Sequence, residues 1–252
     1  NMIGLVRNEW KKVFLPVLLT TVLLAIAMGV LSCTIYQNYV LHYDLEAWEV
    51  GTELFSLLYP LFVVVPLCWN LYYERKNNFL LYVMPRVKIK KYLTAKWIAY
   101  ALGTLCIIVI PYILSAVFAL YVKPPVVPFV ENPFSHIFEN AFIKTPLLYA
   151  VALSLWRGTV SLFVMTFGFI LALYCKNIFV ILTGPFMYSI LENFVLAILC
   201  LERLRLVVAF DPTTVNPEVV SIFSFFFGPI VLSIVIGLTA FLLSKKNAVV
   251  TI

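Results

Sequence analysis

Charged residues are scarce in this chain. They make up 12% of its 252 residues, whereas 63% are hydrophobic. Soluble globular proteins carry about 25% charged and about 45–50% apolar residues. This imbalance excludes a cytosolic enzyme, a disordered chain and a nucleic-acid-binding module. One membrane crossing takes about 20 apolar residues, so a chain of this length has room for six spanning helices joined by short loops. The composition predicts an integral membrane protein.

Residue patterns for nucleotide, metal or nucleophile chemistry are lacking as well. The nine glycines are scattered and build neither the phosphate loop GxxxxGKS/T nor the dinucleotide pattern GxGxxG. There is no GxSxG turn and no HExxH zinc helix. The five cysteines show no CxxC spacing, and the two histidines, His42 and His136, lie far apart. We therefore expect no catalytic residue, no metal and no cofactor bound by this chain, and no nucleic-acid partner.

Six apolar runs predict an all-α integral membrane protein with six transmembrane helices. The runs cover residues 13–36, 54–73, 97–122, 147–175, 178–201 and 219–243. Prolines inside them are tolerated in spanning helices, and the alternation of a barrel strand is missing. We predict one transmembrane domain over residues 13–243 and a cytoplasmic tail over 244–252.

Basic residues predict the orientation of the chain. With a cytoplasmic N-terminus, thirteen of the 18 Lys and Arg residues fall inside, four fall outside, and Arg157 lies within a span. Basic residues concentrate in cytoplasmic loops of membrane proteins. We therefore expect both termini in the cytoplasm of a multi-pass cell-membrane protein. The net charge of +6 is then a sign of topology.

The segment before the first span has helical spacing of apolar residues. Its apolar side chains fall on one face and its polar ones on the other; the first set is Ile3, Val6, Trp10, Val13 and Phe14, and the second is Arg7, Asn8, Lys11 and Lys12. This predicts an interfacial amphipathic helix over 2–14, with Trp10 at headgroup depth and Lys11 and Lys12 facing anionic lipid. The alternative is a basic flank that only orients the first span.

Residues 74–96 form the longest cytoplasmic connection and contain more than a topology signal needs. Besides Lys and Arg they carry an apolar block, Phe79 to Met84, followed by Pro85. This pattern predicts a short helix that ends near Pro85 and a second helix that starts after it. Exposed apolar residues at this position call for a partner surface.

This loop and the six-span layout resemble the ABC-2 type permeases of ATP-binding-cassette exporters. The matching residues are Glu74-Arg75, Leu80, Leu81, Pro85-Arg86 and Lys96. Asn78-Phe79 replaces the Gly-Thr usual in that family, so the chain looks like a divergent member. The motif covers residues 74–96, and the architecture covers the whole chain.

The resemblance implies a permease that pairs with a second copy or a homologous permease. It also implies two copies of a separate P-loop ATPase, which holds ATP and Mg, so the chain itself is not an enzyme. Its ATPase-coupling residues would be Glu74, Arg75, Leu80, Leu81, Pro85, Arg86, Lys88, Lys90 and Lys91. The alternative is a solvated loop that only sets topology.

Two charges interrupt the apolar runs, Arg157 in the fourth and Glu192 in the fifth. Counted from the cytoplasmic side, they lie at similar depth in the outer half of the membrane. A bare charge there is costly, so either pairing or contact with an aqueous cavity is expected. We predict that Arg157 and Glu192 line the translocation path or form an intramembrane ion pair. An Arg157 that marks a break in the span is a further alternative.

Two external segments complete the chain. Residues 123–146 are rich in proline and predict a rigid irregular loop, and residues 202–218 predict a loop that can return into the membrane. Few buried charges and many aromatic residues favour an amphipathic or hydrophobic cargo. Permeases with such a divergent loop are similar to exporters of phenol-soluble modulins and to bacteriocin-immunity permeases. The resemblance therefore implies a toxin or antimicrobial peptide as cargo.

Two other functions fit the sequence less well. A membrane-embedded enzyme could use Arg157 and Glu192 as a polar site, but neither histidine falls inside a span to serve as a base. A stand-alone secondary transporter would be expected to show an inverted repeat and more than one buried acid. A neighbouring gene for a P-loop ATPase would favour the permease alone.

Overall fold

The computed structural model describes residues 2–83, 85–128 and 135–246, and most of these residues are helical, with no strand among them. Leu81 and Lys246 are described by their backbone alone. The α-helices are α1 (Met2–Thr34), α2 (Glu46–Lys76), α3 (Phe79–Val83), α4 (Ile89–Val117), α5 (Glu139–Lys144), α6 (Pro146–Tyr174), α7 (Ile178–Ile198), α8 (Leu206–Phe210) and α9 (Ile222–Lys246). A π-helical turn, Phe118–Val122, continues α4. Short 3₁₀ helices lie at Ile35–Asn38, Glu202–Leu204 and Pro212–Thr214.

Six helices are long and apolar enough to cross a membrane, so the chain is a multi-pass membrane protein. They span Met2–Asn38, Glu46–Lys76, Ile89–Val122, Pro146–Tyr174, Ile178–Ile198 and Ile222–Lys245. Six long apolar helices at these positions confirm the prediction of one such helix for each apolar run. The predicted short helix before Pro85 is confirmed as α3, while Met84 lies outside the described residues.

The helices alternate in direction, which gives the bundle two chemically different ends. We call the end that carries Met2, Lys76 and Ile89 the basic end, and the end that carries Glu46 and Pro146 the acidic end. The core lies between α1, α2, α4 and α6, where aromatic side chains such as Trp48, Tyr59, Tyr100 and Tyr112 are buried. Helices α7 and α9 flank this core and leave most of their side chains on the outside.

The N-terminal segment does not form a separate interfacial helix, and that prediction is wrong. Helix α1 runs unbroken over 33 residues, which is about 50 Å at 1.5 Å per residue. Its buried face near the N-terminus includes Glu9 and Val13, whereas Ile3 and Phe14 of the predicted apolar face are exposed. Contacts of Glu9 inside the bundle therefore orient this segment.

Helix α2 begins at Glu46, eight residues before the predicted start of the second span at residue 54. The Glu46 carboxylate accepts hydrogen bonds from the backbone N–H groups of His42 and Tyr43 at 2.6 and 3.1 Å. Carboxylates in a first helical turn also interact favourably with the helix dipole. The acidic side chain at the first position of α2 therefore supports the start of the helix ahead of the apolar run.

The two loops at the acidic end contain more regular structure than expected. Within residues 123–146, the part 139–144 forms helix α5, while residues 129–134 lie outside the described range. Within residues 202–218, helix α8 packs against α2, α6, α7 and α9, and most of its side chains are buried. This second loop returns between the helices, as the sequence suggested.

Candidate functional site

A four-charge cluster joins the first three spans at the basic end. It consists of Glu9 and Lys12 from α1, Glu74 from α2 and Lys96 from α4. The Lys96 side chain is fully buried, and its Nζ lies 2.7 Å from Glu9 Oε2 and 2.7 Å from Glu74 Oε2. Lys12 Nζ lies 2.6 Å from Glu9 Oε1 and 2.9 Å from Glu74 Oε1. Two carboxylates therefore balance two ammonium groups, which compensates the cost of burying charge.

Neutral side chains complete the coordination of this cluster. The Tyr92 hydroxyl lies between the two carboxylates, 3.1 Å from Glu9 Oε1 and 2.9 Å from Glu74 Oε2. Asn70 Oδ1 accepts a hydrogen bond from Lys96 Nζ at 3.0 Å. The cluster fixes the basic ends of α1, α2 and α4 relative to one another.

The cluster corrects two sequence predictions. Lys12 was expected to face anionic lipid, but its ammonium group binds two carboxylates of the bundle. Glu74 was expected to contact the ATPase, but its carboxylate is turned inward. Glu9 was not among the predicted site residues. The sequence feature that could have indicated it is its negative charge in an otherwise basic segment, three residues before Lys12. Trp10, half-buried, and Lys11, exposed, keep their predicted place at the membrane interface as an expectation.

Arg75 also faces the bundle. Its guanidinium donates a hydrogen bond to the carbonyl oxygen of Cys175, the residue that follows α6. Carbonyl groups at a helix C-terminus lack partners within their own helix, so Arg75 caps α6 and ties it to α2. Glu74 and Arg75 therefore hold the base of the 74–96 loop in place.

The rest of that loop presents an exposed surface, which we call the loop surface. It comprises Phe79, Tyr82, Arg86, Lys88, Lys90 and Lys91, all exposed. Pro85 is exposed beside them and Leu80 is half-buried. The four cations form no ion pair within the part of the chain that the structure describes. Aromatic rings and unpaired cations together suit a partner with an acidic, partly apolar groove.

The buried Arg157 pairs with Asp211, and the predicted pair with Glu192 is wrong. Arg157 Nη2 lies 2.7 Å from Asp211 Oδ1, and both side chains are fully buried. Asp211 directly follows α8, so the loop that returns between the helices brings in this acid. Glu192 instead accepts the backbone N–H of Leu206 with both carboxylate oxygens, each at 3.0 Å. It thereby supports the start of α8.

Aromatic faces and hydroxyl groups surround the Arg157–Asp211 pair. The guanidinium carbon lies 4.7 Å from the ring centroid of Trp48 and 4.4 Å from that of Tyr112, in cation–π contact. Asp211 accepts hydrogen bonds from the hydroxyls of Ser56 at 2.5 Å and Thr213 at 2.6 Å. The N–H groups of Arg157 lack aligned hydrogen-bond acceptors among the described residues. Its attraction to Asp211 and its contacts with the aromatic rings therefore hold it in place.

A second group of titratable side chains lies, largely buried, at the acidic end. His136 Nε2 lies 2.9 Å from Glu46 Oε1, and its Nδ1 lies 3.7 Å from Glu49 Oε2. Burial lowers the pKa of His136, but the hydrogen bond to Glu46 and the charges of nearby glutamates outweigh it and raise the pKa above the ordinary 6.5. The contact between His136 and Glu46 is therefore sensitive to pH.

A raised His136 pKa makes the stability of the protein depend on pH. The folded pKa lies above the unfolded one, so the stabilisation is complete below about pH 6.5 and is lost as the pH rises through the folded value. The wild-type protein in detergent should therefore melt at a higher temperature than His136→Gln at pH 6. This difference in melting temperature should shrink as the pH rises to 8.5. A constant difference for His136→Gln would contradict the assignment.

Two cavities adjoin each other at the acidic end. The apolar cavity, of about 300 Å³, is lined by Ile137, Phe138, Tyr149, Ala152, Leu153, Trp156, Pro212, Ile222, Phe225 and Phe226. The polar cavity, of about 330 Å³, is lined by Glu49, Ser135, His136, Ile137, Thr213, Thr214, Val215, Asn216 and Pro217. Ile137 lines both, and the neighbours Pro212 and Thr213 line one each. The two cavities are thus neighbours that share Ile137 as a wall residue, and we call them together the recess.

Comparison with known proteins returned no relative: no family model, no curated protein and no solved structure matches the chain. Within the described residues, no group of three His, Cys, Asp or Glu side chains could hold a metal ion.

Proposed function

We propose that the chain is the transmembrane permease subunit of an ATP-binding-cassette exporter with the ABC-2 type architecture. Two permease chains would form the path for an amphipathic or hydrophobic peptide, and two copies of a separate P-loop ATPase would drive it. The basic end would face the cytoplasm of the cell. ATP and Mg would be held by the ATPase and not by this chain.

The observation that carries this proposal is the loop surface on a fixed base. Glu74 lies in the last turn of α2 and Lys96 lies in the second turn of α4, and both belong to the four-charge cluster. Any force that a partner applies to α3 or to the residues around Arg86 is therefore delivered to the joint between α1, α2 and α4. This geometry supports a lever through which an ATPase changes the packing of the spans.

The charge of the loop surface supplies the first test. Replacing Arg86, Lys88, Lys90 and Lys91 with Gln removes four exposed cations, each worth about 0.5 kcal/mol when it pairs with an acidic group of the ATPase. The affinity of the ATPase should therefore fall by about thirtyfold, and more at low salt. The measurement is the Kd of the co-purifying ATPase for the permease in lipid nanodiscs.

A matched control separates the loop from the general charge of the basic end. Replacing Arg7, Lys11, Lys176 and Lys245 with Gln removes the same number of exposed cations from that end but none from the loop. We expect this variant to keep the wild-type Kd within a few-fold. Equal losses in both variants, or no loss in the loop variant, would remove the loop surface from the ATPase interface.

A stand-alone transporter is the second candidate, and the Arg157–Asp211 pair is the observation that favours it. A carboxylate that can pair with a buried arginine or release it on protonation is a means of coupling transport to protons. Proteoliposomes that hold the purified chain alone and accumulate a cationic peptide in response to a proton gradient would favour this candidate. The permease proposal predicts no accumulation without the ATPase.

A further inference from the structure

We infer that the recess at the acidic end is a two-part binding site for a cationic amphipathic peptide segment. The apolar cavity takes an aliphatic or aromatic side chain, and Glu49 in the polar cavity binds a neighbouring lysine or arginine side chain. The inference rests on the proposed function only in naming the bound peptide as cargo.

Aromatic side chains in fixed positions line the apolar cavity. Trp156 Nε1 donates a hydrogen bond to the carbonyl oxygen of Ala209 at 2.7 Å, which fixes its ring. Phe225 and Phe226 meet this ring edge to face, with centroids 5.8 and 5.3 Å away. The ring centroid of Phe138 lies 6.5 Å from that of Phe225. The backbone of Phe138 has a φ of 54°, a conformation that few non-glycine residues adopt. A rigid apolar wall of this kind suits the burial of a hydrophobic group.

Glu49 gives the neighbouring cavity its charge preference. Its neighbour Glu46 is satisfied by two backbone N–H groups and by His136. Glu49 has only the long contact of 3.7 Å to His136, and its Oε1 is buried without a hydrogen-bond partner among the described residues. A buried carboxylate oxygen of this kind is costly unless a donor reaches it. An ammonium or guanidinium group in the polar cavity would supply that donor.

The two parts share a wall, which suits neighbouring side chains of one ligand. Ile137 is a common wall, and the chain passes from Pro212 in the apolar cavity to Thr213 in the polar cavity within one residue. The cavities, of about 300 and 330 Å³, have room for side chains of a ligand and not for a folded domain. Exposed Phe138, Ile222 and Phe226 form the rim of the apolar cavity, so a ligand can enter it from the side.

The test uses two dansyl-labelled synthetic peptides bound to the purified permease in phosphatidylcholine nanodiscs. One peptide consists of leucine and lysine, and in the other glutamate replaces every lysine. Glu49→Gln should weaken binding of the lysine peptide about tenfold, the value of a partly buried charge-assisted contact. Binding of the glutamate peptide should stay weak in both proteins. Leu153→Trp, which fills the apolar cavity, should weaken the lysine peptide by a similar factor.

Glu53→Gln is the matched control, because Glu53 is an exposed acid on the same helix, one turn further on. Melting curves and gel filtration establish that each variant is folded. An equal effect of Glu49→Gln and Glu53→Gln would overturn the inference, as would unchanged binding to folded Leu153→Trp. Peptide binding needs no ATPase, so binding that is lost in Glu49→Gln supports the recess even if no ATPase is found.

Discussion

Asp211→Asn is expected to lower the free energy of unfolding by about 3–5 kcal/mol. This variant leaves the fully buried Arg157 without its counter-charge, and an uncompensated buried charge is the most costly outcome of breaking an ion pair. Arg157→Met should cost a comparable amount, because Asp211 then keeps only neutral donors such as Ser56 and Thr213. Unfolding by sodium dodecyl sulfate in mixed micelles gives these free energies.

The double variant Arg157→Met/Asp211→Asn tests the pairing itself. Because it removes both charges together, we expect it to be less destabilised than either single variant. Arg157→Met combined with Glu192→Gln should instead be additive, since Glu192 binds Leu206. Arg203→Met removes an exposed arginine and should stay within about 0.5 kcal/mol of wild type. Additive losses at Arg157 and Asp211 would mean that the two side chains do not depend on each other.

Lys96→Met is expected to be the second strongly destabilising variant, again by about 3–5 kcal/mol. It leaves Glu9 and Glu74 side by side with Lys12 as their only cation in the cluster. The same micelle titration measures the effect, and Lys91→Met on the exposed face of the same helix is the control. Lys91→Met should change the free energy of unfolding by no more than about 0.5 kcal/mol.

Restoring the charge balance provides an internal check. Glu9→Gln combined with Lys96→Met leaves one carboxylate and one ammonium group, so we expect it to recover part of the stability lost in Lys96→Met. A folded Lys96→Met protein as stable as wild type would mean that the cluster does not hold α1, α2 and α4 together. The loop surface would then lack the fixed base that supports its role as a lever.

The spans and the short helix of the loop could be predicted because they depend on local patterns. A run of apolar residues gives a spanning helix whatever it packs against, and the apolar block before Pro85 gives α3 by the same local reasoning. The start of α2 at Glu46 could not be predicted from hydropathy. Its acidic residues lower the mean hydropathy of the segment, while their carboxylates stabilise the helix start.

The partners of the buried charges could not be predicted because they depend on tertiary structure. Depth along two helices suggested Arg157 with Glu192, but a loop that returns between the helices supplies Asp211 from outside any apolar run. The apolar residues 206–210 just before Asp211 are the sequence signal that could have indicated this. The position of Lys12 on the polar face of its helix predicted a side chain that faces lipid. The local sequence does not show that Glu74 and Lys96, on other helices, meet Glu9.

Recovery of the tagged chain from its native membrane in mild detergent tests the central proposal most directly. The permease proposal predicts that a P-loop ATPase is recovered in about equal amount, identified by mass spectrometry, and that it is depleted when the four loop cations are replaced with Gln. Recovery of the wild-type chain alone, while other membrane complexes in the same extract stay intact, would contradict the proposal. The 74–96 loop would then be a topology signal, and the Arg157–Asp211 pair would become the first place to look for transport coupled to protons.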